Sequence, residues 1–322
     1  MNEKLQLFLE SHGINYETEV SLKSKTWIRR GGIANIYIVP VGGGQLLLTC
    51  QYLYRNGLKF LILGHTSNTY ILNTKNIDIV ISTKCCRNYE LKDNKIYCEA
   101  GVSVVRLARD MINKGISGFE YLTDLPGTVG AAVYNNSSCR HNSISDLLVS
   151  ADVLQPNGEL ISMSPQEMCF KYRDSVFKSK LKDGIIVRVI LKAVCGDVKE
   201  LQSIAKANKL DREKMLEGHK QNLGCTVNNL AKGCMPKRYK VLLKLYNLYL
   251  KCFVHKDIPI EKLNKDFLCK ISGYKDLAPY ISDKEISIFV WRDSNADEMF
   301  EKYLEFLSKV YKTYRVEIEV IK

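Results

Sequence analysis

Between residues 35 and 64 the spacing of apolar residues changes twice, and that change constrains the fold more than any other feature. NIYIVP (35–40) is a short apolar run of strand length. VGGG (41–44) follows as a turn, and QLLLTCQYLYRNG (45–57) then spaces its apolar residues as a helix and stops on glycine. LKFLILG (58–64) is a second strand, and the polar loop HTSNT comes directly after it. Strand, helix and strand in this order read as a βαβ unit, since parallel strands need a long crossover between them. A glycine and small hydroxyl residues stand at its carboxyl end, where backbone N–H groups can be aimed at an anion.

Downstream, IDIVIST (77–83) reads as a strand, Lys92-Asp93-Asn94 as a hairpin tip and 102–114 as a helix. LLVSADVLQPNGELISMS (147–164) is a hairpin turning at Pro156-Asn157-Gly158, and GIIVRVIL (184–191) is an apolar strand. From about residue 196 the texture changes. Helical patterns rich in Lys, Leu and Tyr cover 197–217, 239–254 and 259–270. ISIFVW (286–291) is expected to be a strand, 296–311 a helix, and YRVEIEVI (314–321) a last strand. Neither internal repeats nor low-complexity segments occur. The order implies an α+β flavin- or nucleotide-type scaffold followed by a distinct α+β domain.

The 47 basic and 35 acidic residues leave a net charge of +12, which favours anionic partners: nucleic acid, anionic lipid or phosphorylated small molecules. There is no run of five consecutive basic residues, so nucleic acid is not the expected partner. No stretch reaches the ~20 apolar residues of a membrane span. The N-terminal MNEKLQLFLESHG is an amphipathic helix with acidic residues, unlike a signal peptide. Eleven scattered cysteines without a CxxC are expected to be buried thiols of a reducing compartment, which places the protein in the cytoplasm. The five histidines lack ligand spacing, so no metal site is expected.

Three segments concentrate chemistry. LGHTSN (63–68) offers Gly64, Thr66, Ser67 and Asn68 to a phosphate, although loops after strands are commonly small and polar. It matches neither a GxGxxG fingerprint nor a Walker motif. LPGTVGAAVYNN (125–136) contains a small-residue, uncharged loop that suits a flat aromatic cofactor pressed against backbone; close packing of a turn explains it equally well. KYRDSVFK (171–178) surrounds a Val-Phe pair with charges, a tyrosine and a serine, and could be a solvated turn. Two glycine-bearing loops on a basic chain favour a dinucleotide.

The order TWIRRGGIANIYIVP (26–40), LILGHTSN (61–68), LPGTVGAAVYNN (125–136) and YRDSVFK (172–178) resembles the UDP-N-acetylenolpyruvoylglucosamine reductase (MurB) family. These are flavoproteins of cell-wall synthesis with the FAD-binding fold of the vanillyl-alcohol-oxidase group, and the resemblance covers about residues 1–195. It implies two FAD-binding subdomains, 1–79 and 80–195, then a substrate-binding domain at 196–311, with a strand in 312–322 returning to the first subdomain. It implies FAD held by Gly64, Thr66, Ser67 and Asn68 of one loop. Pro126, Gly127, Thr128, Gly130, Ala131 and Asn136 would hold it from the other. Attachment is expected to be noncovalent, because Thr66 rather than His65 stands where some relatives of the wider fold carry the flavin.

The family's reaction reduces an enolpyruvyl UDP-sugar to UDP-N-acetylmuramate, with NADPH as electron donor. By resemblance, Arg173 would bind the substrate carboxylate through two hydrogen bonds. Cys225, in LGCTVNN (223–229), would be the proton donor, in a position where the family has serine or cysteine. The third catalytic group would be Glu319, with Glu317 on the same strand face able to replace it. Tyr172 and Asn228 would touch the substrate. The plain alternatives are a buried structural Cys225 and a solvent-facing Glu319.

Departures from the family gather in the second half. Its FKNP block becomes Val227-Asn228-Asn229-Leu230, without the lysine expected near the substrate diphosphate, and 232–275 aligns with nothing. Three functions therefore stand: the MurB reductase itself, a divergent flavoenzyme for another nucleotide sugar in surface-polysaccharide or natural-product synthesis, and a non-catalytic FAD-fold binding protein. Retention of Arg173, Cys225 and Glu319 favours an enzyme, and the missing lysine favours the second reading. A monomer or dimer is expected.

Overall fold

The computed structural model describes residues 2–139, 142–216, 221–228, 230, 235–253, 258–311 and 313–322. The chain forms two compact units. One comprises Met1–Lys25, Gly32–Thr66 and Thr74–Leu210; the other comprises Thr26–Gly31, Ser67–Asn73 and Asp211–Lys322.

In the first unit, Ile33–Val39 and Leu61–Leu63 are parallel and joined by the helix Gly42–Arg55, as the apolar spacing implies. Asn76–Ser82 lies between them, parallel to both, with Ile36 opposite Ile79 and Leu61 opposite Val80. Asn15–Ser21 closes the other edge antiparallel. The helix buries Leu46, Cys50 and Leu53 in a core with Ile36, Ile38, Ile79 and Ile81, to which the N-terminal helix adds Leu5 and Leu9. Full burial of one such leucine stabilises by about 1.5–3 kcal/mol.

A second, five-stranded antiparallel sheet is built from the two expected hairpins and the apolar strand Ile185–Lys192, which runs between Leu148–Leu154 and Lys95–Glu99. The helix Val104–Asn113 is capped by the Ser103 hydroxyl, which accepts from the Arg106 N–H. Leu107, Ala108, Met111 and Ile112 of this helix enter the core with Ile96, Cys98 and Val189.

The second unit is held by aromatic packing. Trp291 is fully buried, with ring centroids of Phe289, Tyr70 and Phe300 at 4.9, 5.3 and 5.7 Å. The helix Ala296–Tyr311 supplies Phe300, Tyr303, Phe306, Leu307 and Val310 to this core at helical spacing. The buried Lys265 ammonium donates to the carbonyls of Ala278 and Ile281 and to Asp283 Oδ1 at 2.6 Å. Its charge is therefore buried only with full compensation.

Three expectations are corrected. ISIFVW (286–291) forms no strand: the N–H groups of Phe289, Val290 and Trp291 go to Thr226 Oγ1, Tyr280 O and Gln221 O, three separate partners that make no ladder. YRVEIEVI (314–321) splits into Arg315–Val316, paired with Val227–Asn228, and Glu319–Ile321, paired in parallel with Thr69–Ile71. The cysteines are not uniformly buried, since Cys169, Cys195, Cys225 and Cys252 are exposed. Backbone polar groups choose partners by proximity in three dimensions, which alternation along the chain does not encode.

Candidate active site

Gly64 ends the strand Leu61–Leu63, and a Cβ on it would lie 2.6 Å from Thr128 Oγ1. Only glycine lets the two small-residue loops approach this closely. His65 reinforces the junction with a hydrogen bond to the Gly127 backbone. Burial, and then the nearby Lys84 charge, push its pKa below the ordinary histidine value, so the ring is neutral near pH 7. Thr66 is buried at φ +57°, a conformation rare for a β-branched residue, and its hydroxyl donates to the His65 carbonyl at 2.7 Å. Ser67 and Asn68 are half-buried and begin the next segment, which belongs to the second unit.

The second small-residue segment is not the open loop expected over 126–133. Val129–Tyr134 forms a short helix with Thr128 as its cap, the hydroxyl accepting from the Ala131 N–H. The N–H groups of Val129 and Gly130 donate to the carbonyls of Val102 and Ala100, both at 2.8 Å. A Cβ on Gly130 would lie 2.8 Å from the Ala100 Cβ, so this glycine serves close packing, and its amide is already committed. Pro126 and Ala131 are half-buried; Gly127 and Thr128 are buried.

Asn136, two residues beyond this helix, is 7% exposed and held at φ +43°. Its Nδ2 donates to the Lys171 carbonyl at 2.9 Å, while its buried Oδ1 has no hydrogen-bond partner among the described residues. Lys171 and Asp174 exchange backbone hydrogen bonds, which leaves Tyr172 and Arg173 at the tip of a tight turn. Ser175 Oγ donates to the Tyr134 carbonyl at 2.6 Å, and Phe177 is buried with its ring stacked on Tyr134. The segment 171–178 is therefore a turn clamped to the helix, rather than a solvated one. Its tip holds Arg173, half-buried at φ +53°, and the exposed Tyr172.

Positive φ at non-glycine residues is costly and gathers at functional positions. Among the described residues it occurs at Glu19, Arg29, Asp93, Asn94 and Cys169, and also at Thr66, Asn136 and Arg173 of the candidate site.

In the second unit, Thr226 is fully buried: its N–H donates to Ser287 O, and its hydroxyl accepts from the Phe289 N–H at 3.0 Å. Cys225 precedes this anchor and is exposed, which overturns the buried structural reading of that thiol. Asn228 Nδ2 donates to Glu317 Oε2 at 3.3 Å, and its buried Oδ1 has no partner among the described residues. The Glu317 N–H donates to Thr226 O and the Glu319 N–H to Asn68 O, both at 2.9 Å. The broken strand thus gives the two glutamates different surroundings: Glu317 joins the Cys225–Asn228 segment, and Glu319 joins the end of the 63–68 loop.

The sequence did not point to Lys84. It is half-buried near His65, donates to the Lys25 carbonyl at 2.7 Å, and has its pKa lowered by burial and then by Lys25. Nothing in the surrounding STKCC distinguishes it from a surface lysine.

Residues 34–164 match the FAD binding domain family. UDP-N-acetylenolpyruvoylglucosamine reductase of Nostoc sp. is 30% identical over 53% of this chain and 53% of its own length. The enzyme of that name from Bacillus licheniformis is 32% identical over 53% and 56%. Both matches thus span little more than half of the relative. The Nostoc punctiforme reductase is 26% identical over 84% of this chain and 80% of its own. The crystal structure of the Thermus caldophilus reductase superposes with a TM-score of 0.68, covering 96% of this chain and 99% of that one at 21% identity. Domain match, curated relatives and shared fold agree: the chain carries an FAD binding domain, is similar to UDP-N-acetylenolpyruvoylglucosamine reductases, and has the fold of the Thermus caldophilus enzyme.

Proposed function

We propose that this protein is a reductase that binds FAD noncovalently, draws electrons from NADPH and reduces an enolpyruvyl ether carried by a nucleotide sugar, forming UDP-N-acetylmuramate from UDP-N-acetylenolpyruvoylglucosamine. Asn136 carries the reading. Its buried Oδ1 lacks a donor among the described residues, its backbone is strained, and its Nδ2 grips the turn that presents Arg173. An unmet buried acceptor costs about 1–3 kcal/mol, and a ring N–H of a flat cofactor would supply the missing donor. Gly64, Thr66, Ser67 and Asn68 would hold FAD from one segment, and Pro126, Gly127, Thr128, Gly130 and Ala131 from the other, with Gly130 also packed against Ala100. The commitment of His65 to the Gly127 backbone supports noncovalent attachment.

Held by these residues, FAD would supply the hydride chemistry that links the nicotinamide to the vinyl carbon. Arg173 then holds the substrate carboxylate as negative charge builds there, and binds it more strongly in the transition state than in the ground state. Cys225 delivers the proton to the neighbouring carbon; a thiol is a more willing acid than the hydroxyl it replaces. Glu319 is the third catalytic group, and Tyr172 and Asn228 touch the nucleotide sugar. We assign 1–79 and 80–195 to the cofactor and 196–311 to the substrate, with the terminal strand paired to Thr69–Ile71.

A second reading, a reductase for another nucleotide sugar, draws on Asn228. It stands where the family's lysine is expected, and it engages Glu317 instead of offering a cation. Anaerobic titration tests both. NADPH should bleach the flavin absorbance, and UDP-N-acetylenolpyruvoylglucosamine should restore it. A colourless protein that refuses added FAD would defeat the flavoenzyme reading. Bleaching without restoration would leave the second substrate reading in its place.

A further inference from the structure

The helix Lys237–Phe253 is apolar on two faces. At about 3.6 residues per turn, Tyr239, Leu243, Tyr246 and Leu250 share one of them. Tyr239 and Leu250 are buried, Leu243 packs against the aromatic core, and the Tyr246 ring lies flat on Phe267 at 4.0 Å. Val241, Leu245 and Leu248 form a second stripe at the same spacing, with Leu242 and Tyr249 beside it. All five are exposed, Leu245 at 58% and Leu248 at 59%. Lys240, Lys244 and Lys251 run along the border of the two stripes. The helix has five basic residues and no acidic one.

Single exposed apolar side chains are ordinary, but a contiguous stripe over two turns marks an interaction surface. We propose that this face rests on an anionic lipid surface, with the helix lying in the plane of the interface. Three observations select that occupant. The charge that the helix itself places beside the stripe is entirely cationic, on a chain of net charge +12, which complements anionic headgroups. The stripe is plain Val and Leu with a tyrosine, a composition that inserts into acyl chains without requiring shaped pockets. A second copy of the chain would bring two lysine rows together, a repulsion that an apolar self-contact would have to overcome. Among the described residues no helix is long and apolar enough to cross a membrane, so the association is peripheral at this helix. The helix lies within the segment assigned to the substrate, but none of its residues is given a role in binding or chemistry, so the proposal does not depend on the reductase reading.

The purified full chain should sediment with vesicles of mixed phosphatidylglycerol and phosphatidylcholine, and not with phosphatidylcholine alone. Added salt should weaken the binding. Each lysine near such a surface contributes about fivefold, so the triple variant Lys240→Gln, Lys244→Gln, Lys251→Gln should partition about a hundredfold less. Leu245→Gln with Leu248→Gln should abolish binding and leave the melting temperature unchanged, because both side chains are exposed. Absence of binding to the anionic vesicles, or undiminished binding by the lysine variant, would overturn the proposal. So would a solution dimer that the leucine variant dissolves, since a second copy would then own the face.

Discussion

In the first unit, Gly64, Thr66, Asn136 and Arg173 occupy backbone positions that few residues tolerate: one sits against a neighbouring side chain, and three have positive φ. In the second unit, Cys225, Asn228 and Glu319 are not among the positive-φ residues. They are placed by hydrogen bonds between segments more than sixty positions apart in sequence, such as Thr226 with Ser287 and Glu319 with Asn68. The first kind of site is written into short motifs and tolerates little substitution. The second depends on register between distant segments and can change its side chains while keeping its frame. That difference is consistent with the closer resemblance to the reductases in the loops of the first unit than in residues 227–230 of the second.

The strongest way to break the comparison is to separate cofactor holding from chemistry within the first unit. Arg173→Lys should lower kcat by about 2–4 kcal/mol of barrier while the flavin content of the purified protein stays normal. Unchanged turnover would return Arg173 to a purely structural place in its turn. In the second unit, Cys225→Ala should leave flavin reduction by NADPH intact and slow the following half-reaction by about a hundredfold. Cys225→Ser should keep most of the rate. Stopped-flow traces of the two half-reactions distinguish these outcomes, and equal rates for alanine and native chains would remove the thiol from the mechanism.

A smaller effect tests the crowded junction. Gly64→Ala should cost about 1–3 kcal/mol and reduce flavin retention, because its Cβ meets Thr128 Oγ1. Thr128→Ala alone should cost about 1 kcal/mol through the lost cap, yet partly rescue the Gly64→Ala chain. Additive losses in a denaturation cycle would show that the two loops do not press on one another. The smallest effect concerns His65. Its folded pKa is depressed, so as pH falls below the ordinary value of 6.5 the unfolded chain takes up the proton first. The stability it contributes is therefore complete above that pH and declines as pH drops toward the folded pKa. His65→Asn should flatten this part of the melting-temperature profile; a slope unchanged by the substitution would assign it to other groups.

The helices and most strands of the first unit were legible because their apolar spacing is local and one-sided. Where burial is two-sided, as at Ile288 to Trp291, alternation disappears and the run looks like a strand whether or not a ladder forms. The split of 314–321 was hidden because its halves pair with segments at 227–228 and 69–71, far away in sequence. The exposure of Cys225 was equally invisible, since nothing around a cysteine states which way the chain turns it.

The sequence by itself determined the βαβ start, the two hairpins, the strand Ile185–Lys192, and the collinear blocks that identify the FAD-binding domain. Each depends on residues within a few positions of one another and on side-chain period, which the chain carries as written. Only the tertiary structure decided that Gly130 packs against Ala100, that Asn136 holds the Arg173 turn, and that Glu317 and Glu319 have different neighbours. Those outcomes depend on which remote backbone group is nearest when the cores close. A hydrogen bond made at about 3 Å is settled by that geometry, not by the order of residues.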